Sequence, residues 1–124
     1  MDLAIDLAIA ETASIKHHEP LLKITTQSRY SGKAQFHLLP YRLQDNQYLV
    51  GATNQRNNIK PDWYLNLKEE PIVQIEIADA SFYAKAITPV GNERLRVTAI
   101  IKDMIQFPDR VPRETAAVIL QPLC

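Results

Sequence analysis

The chain has 124 residues, 46% of them hydrophobic, with 14 basic and 14 acidic side chains and one cysteine, Cys124. That size and apolar content suit a single domain over residues 1–124, while the balanced charge excludes a broad cationic field for nucleic acid or anionic membrane, so any anion site must be local. A lone cysteine excludes an internal disulfide and offers no zinc set; with no apolar run near the roughly 18 residues of a membrane span and no basic leader at Met1-Asp2-Leu3, a cytoplasmic protein is expected.

In chain order, Leu3 and Leu7 lie one helical turn apart behind Asp2, which predicts a short amphipathic helix over Leu3–Ala10 within an N-terminal segment of residues 1–20. His17-His18-Glu19-Pro20 interrupts it, and neighbouring side chains on an extended chain diverge, so this trio reads as a solvated patch rather than a metal site. Leu21–Thr26 is the first clear strand. A turn at Ser31-Gly32 leads into a second strand, Gln35–Leu43, where Pro40 argues for an edge or a bulge. His37 lies inside it and reads as a satisfied or exposed ring rather than a general base, since no Ser or Cys nucleophile pattern accompanies it. Gln44-Asp45-Asn46-Gln47 is a hairpin connection into the strand Tyr48–Thr53.

The next stretch is the most informative. Asn54-Gln55-Arg56-Asn57-Asn58-Ile59-Lys60 is a polar loop with two cations that empties into Pro61-Asp62-Trp63-Tyr64-Leu65-Asn66-Leu67. Proline suits the first position of a helix, and Trp63 and Leu67 then share one face that can pack on a sheet, with Tyr64 and Asn66 pointing elsewhere. One reading is an aromatic anchor that seals a small core. The other is an anion cradle, because free N–H groups and the helix dipole favour negative charge where a strand runs through a cationic loop into a helix N-terminus. Glu69-Glu70-Pro71 stops the helix, and Ile72–Ile77 and Phe82–Thr88 follow as alternating strands joined at Ala78-Asp79-Ala80. Gly91-Asn92-Glu93 opens a second helix that closes by Pro108, and Ala116–Leu120 is the last strand. Asp109-Arg110 and Arg113-Glu114 read as loop charges, or as the rim of an anionic ligand. Neither a Gly-x-Gly-x-x-Gly nor a Walker pattern is present. Six short strands with hairpin spacings predict a mainly β (α+β) domain, an antiparallel barrel with short flanking helices.

Leu22 to Lys33, Tyr48 to Thr53 and Pro61 to Leu67 resemble, in order and spacing, the deazaflavin-dependent nitroreductase family. There a Thr-rich strand enters a Gly-Arg-Lys-Ser-Gly turn, then a Tyr-Val-Val-Val-Ala-Ser strand, then a His-Pro-Ala-Trp-Tyr-x-Asn-Leu helix. The similarity covers about residues 21–122 and narrows the fold to a six-stranded antiparallel split β-barrel. It implies a flavin or deazaflavin, coenzyme F420 or FMN, and transfer of hydride from the reduced coenzyme to a nitro compound, a quinone or a similar small acceptor. Arg29, Lys33, Arg56 and Lys60 would hold its anionic tail, Ser31 and the Gly32 backbone would add donors, Thr53 and Asn54 would edge the ring, and Trp63 would brace the cleft. Tyr30 stands where the family usually has lysine and Gln35 where an arginine is common, and each lost cation removes a charge-assisted contact of about 1.5–3 kcal/mol. The alternative is therefore a non-catalytic or differently loaded split-barrel protein. The family also suggests a homodimer joined by sheet face and helix, with about 1,600 Å² buried.

Overall fold

The computed structural model describes residues 14–15, 20–54, 59–106 and 114–123. The helix expected at Leu3–Ala10, the pair His17-His18, Arg56, the segment Phe107 to Arg113 and Cys124 lie outside the described residues.

Described strands are β1 (Ser14–Ile15), β2 (Leu21–Gln27), β3 (Ala34–Pro40), β4 (Arg42–Gln44), β5 (Gln47–Thr53), β6 (Ile72–Ile77), β7 (Ala80–Ile87), β8 (Ile105–Gln106) and β9 (Thr115–Pro122); the helices are α1 (Asp62–Glu69) and α2 (Gly91–Met104). Seven of these strands form one antiparallel sheet in the order β3-β2-β6-β7-β9-β5-β4, and β1 pairs with β8 in a two-stranded ribbon. The sheet therefore has seven strands rather than the expected six. The run Gln35–Leu43 is not one strand: it ends at Pro40, and β4 begins again at Arg42 on the opposite edge of the sheet. Proline has no N–H to extend a ladder, and here it sits on an edge strand, as its chemistry requires. Only Tyr41 separates the two edges, and two residues span at most about 7 Å. The sheet must therefore curl until β3 and β4 meet, and this closes the split barrel.

The barrel interior follows from strand alternation. Leu22 and Ile24 of β2, Val73 and Ile75 of β6, Ala84 and Ala86 of β7, Val50 and Ala52 of β5, and Val118 and Leu120 of β9 point inward. The intervening residues of β5 and β9 are buried as well, because α2 covers their outer face: Leu49, Ala117 and Ile119 pack with Val97, Ile101 and Met104. Gly51 makes that approach possible, since a Cβ there would stand 2.5 Å from Ile101 Cγ2.

The helix ends differ slightly from expectation. Pro61 caps α1 from outside, with φ −64° and ψ 151°, and its carbonyl accepts hydrogen bonds from the N–H of Tyr64 and Leu65. α2 ends at Met104 rather than running to Pro108, because Ile105 turns extended (φ −121°, ψ 138°) and joins β8. Asp45 and Asn46 both adopt positive φ, the backbone of a two-residue hairpin turn, which short polar side chains tolerate.

Candidate functional site

α1 carries the chain from β5 to β6, and its inner face decides where it sits. Trp63 and Leu67 are buried in the barrel core, so Trp63 serves as a brace rather than an exposed surface. Asn66 does not point elsewhere: it is 1% exposed and faces the β2–β3 hairpin. Its Nδ2 donates to Thr26 Oγ1 at 3.1 Å and to Gln35 Oε1 at 2.8 Å, and its Oδ1 accepts from the Arg29 backbone N–H at 3.2 Å and from Arg29 Nη1 at 3.0 Å. Gln35 thus has a structural reason to be where an arginine was expected, because a guanidinium could not accept from Asn66.

The hairpin turn is tightly satisfied. Ser28 Oγ accepts from the N–H of both Tyr30 and Ser31, Ser31 Oγ accepts from the N–H of Lys33, and Gly32 adopts φ +74° with open space where a Cβ would stand. The N–H groups of Tyr30 and Ser31 are thus occupied by Ser28, and the exposed polar residues the turn presents include Ser31 and Lys33. The two cations of the turn have different fates. Arg29 Nη2 donates to Asp62 Oδ1 at 3.3 Å and to Tyr30 Oη at 3.0 Å, and its guanidinium lies 4.5 Å from the Tyr30 ring centroid. Lys33 is exposed.

Beyond Pro61 a second cluster begins. Lys60 Nζ donates to Asn54 Oδ1 at 2.5 Å and lies 3.6 Å from Glu114 Oε1. Asn54 N–H donates to the Glu114 carbonyl, and Thr53 and Thr115 share a hydroxyl hydrogen bond of 3.1 Å. Lys60 and Asp62 are two residues apart, so the clusters are neighbours across the start of α1. The structure thus brings Arg29, on the turn with Ser31, Gly32 and Lys33, to Asp62, and Lys60 to the buried Asn54 next to Thr53; Arg56 lies outside the described residues.

His37 is neither satisfied nor fully exposed. It lies on the same face of β3 as Gln35, and its Nδ1 is buried without a hydrogen-bond partner. Burial holds its imidazole below the ordinary value of 6.5, and the charge of Asp62 opposes this only in part. Among the described residues, no cluster of three or more His, Cys, Asp or Glu could hold a metal, and no helix is long and apolar enough to cross a membrane.

Residues 8–115 match the sequence pattern of a family described as F420H(2)-dependent quinone reductase. The chain belongs to that family. This bears out the family resemblance read from Pro61 to Leu67 and places the chain among deazaflavin-dependent oxidoreductases. Solved structures agree on the fold. An F420-H2 dependent reductase is 21% identical with a TM-score of 0.66, over 82% of this chain and 94% of its own. A chain described as a domain-swapped dimer is 21% identical with a TM-score of 0.69, over 82% of this chain and 80% of its own. HutZ, a heme storage protein of Vibrio cholerae, is 17% identical with a TM-score of 0.59, over 100% of this chain and 92% of its own. No curated protein sequence matches the chain.

Proposed function

We propose that this member is an F420-dependent reductase that passes hydride to a small acceptor, a quinone first among the candidates, and that it holds the coenzyme's anionic end at the β2–β3 turn. The observation that carries this reading is the exposed Lys33 beside the exposed Ser31 and the open, left-handed backbone of Gly32, on a turn that Arg29 ties to the start of α1. These residues fit a phosphate, because a hydroxyl donor and an unburied cation both favour its negative oxygens. When bound, the reduced deazaflavin supplies the hydride; the chain supplies position and electrostatics. In this reading Lys33 and the Ser31 hydroxyl bind the anion, Lys60 and Arg56 add positive charge for its tail, and Thr53 and Asn54 edge the ring. Trp63 holds α1 in place from below. The experiment is anaerobic mixing of reduced F420 with the protein and a small quinone or nitroaromatic. Oxidation of the deazaflavin with the quinone supports the reading, and no protein-dependent oxidation with either acceptor overturns it.

A second reading is favoured by one feature: Arg29 and Lys60 already face the carboxylates of Asp62 and Glu114. This is the arrangement of a split-barrel protein that carries a different ligand without catalysis, FMN or a heme included. Titration with FMN and with heme tests it directly. Either reading accommodates a cytoplasmic protein, and the outer face of β3-β2-β6-β7, on which Phe36 and Tyr83 are exposed, favours a homodimer.

A further inference from the structure

Arg29 and Lys33 lie on the same turn, yet the structure treats them differently. Arg29's side chain is only 14% exposed, and its guanidinium is bound to Asn66, Tyr30, the Asp62 carbonyl and the Asp62 carboxylate. Asp62's side chain is 63% exposed, so the carboxylate is the more solvent-facing member of the pair. Lys33 is exposed, and among the described residues no carboxylate pairs with it. The charges of Arg29 and Asp62 cancel locally, which leaves the turn with the single positive charge of Lys33.

We propose that Asp62 is a specificity-determining residue of this subsite: it neutralises Arg29, leaves Lys33 as the cation that meets the ligand, and so admits one phosphate-class group while disfavouring more highly charged anions. This rests on the assignment of the turn to the coenzyme's anionic end. Arg29 is accordingly a clamp between the hairpin and α1, and the ligand's contact passes to Lys33. Repulsion by a fixed carboxylate scales with the charge of the ligand, so its removal must favour a polyanion more than a single phosphate.

The test is calorimetry on the full chain with inorganic phosphate and with tripolyphosphate at low ionic strength, where surface charge is least screened. The variants are Asp62→Asn, Asp62→Ala, Lys33→Gln and, as a control of equal charge change at the far end of α1, Glu69→Gln. Both Asp62 variants should tighten tripolyphosphate by about three- to tenfold and phosphate by less, Lys33→Gln should weaken both, and Glu69→Gln should change neither. Melting midpoints confirm that each variant is folded. If Lys33→Gln weakens both anions but Asp62→Asn and Asp62→Ala do not tighten tripolyphosphate preferentially, the role of Asp62 is overturned and the subsite stands. If Lys33→Gln has no effect, or if neither anion binds the wild type or the Asp62 variants, the turn is not the anionic end and both fall. Anion binding gained only in the Asp62 variants would show that Asp62 excludes phosphate as well, and overturns the proposed selectivity.

Discussion

Asn66 shows how one buried side chain organises the site. Its amide has two donor and two acceptor positions, and all four are used, by Thr26, Gln35 and two groups of Arg29. Asn66→Ala leaves Thr26 and Gln35 without their donor and frees the hairpin from α1. It should lower stability by about 1–3 kcal/mol for each buried group left unpaired, read as a lower denaturation midpoint, and an unchanged midpoint would show the network to be idle. The signal for Asn66 was present in the sequence: positions 63, 66 and 67 fall on one helical stripe, so an amide shares the buried face with Trp63. What the sequence does not show is the partner, because Thr26 and Gln35 meet Asn66 only after the hairpin folds beneath α1. His37 yields a pH dependence. Its folded value is lowered by burial, so the unfolded chain binds the proton first as pH falls, and stability is greatest above 6.5 and declines below it. Denaturation midpoints measured from about pH 7.5 down to about pH 5.5 should fall, and His37→Gln should flatten the curve over that window. A wild-type curve as flat as the variant's would contradict the burial of this ring.

The elements divide into those that local chemistry announces and those that only the sheet reveals. The Asp45-Asn46 hairpin, the half-buried alternation of β6 and the halt of α1 before Pro71 are local and were legible, since each depends on residues adjacent in the chain. The break at Tyr41 was not legible. Pro40 is extended on either reading, and nothing in Gln35–Leu43 alone says that its two halves pair at opposite edges. α2 depends on Gly51 in the same non-local way. Gly51→Ala pushes a methyl against Ile101, a fully buried side chain with little room to yield. The expected cost is about 1–3 kcal/mol, measured by chemical denaturation, and in an Ile101→Ala background, which lacks Cγ2, the same substitution should cost less. A fully stable single variant would mean that α2 stands farther from the sheet than described.

At the scale of the molecule, α2 covers β5 and β9, but among the described residues nothing covers the outer face of β3-β2-β6-β7, where Phe36 is 54% and Tyr83 59% exposed. Phe36, Thr25, Gln74 and Tyr83 lie in one cross-strand row, with the Lys23–Glu76 ion pair in the row beside it. Two exposed aromatics flanking polar residues, with charge beside them, suit a protein contact. Light scattering should give a dimer mass at tens of micromolar, and Tyr83→Glu should shift it toward monomer; a monomeric wild type would refute the dimer. In either state the central claim is that the β2–β3 turn binds the anionic end of a deazaflavin. Fluorescence anisotropy of F420 titrated with the full chain tests this most directly. Saturable binding that weakens with added salt and weakens further in Lys33→Gln is the predicted result, and anisotropy unchanged by the wild-type protein, or binding indifferent to both salt and Lys33, would contradict it.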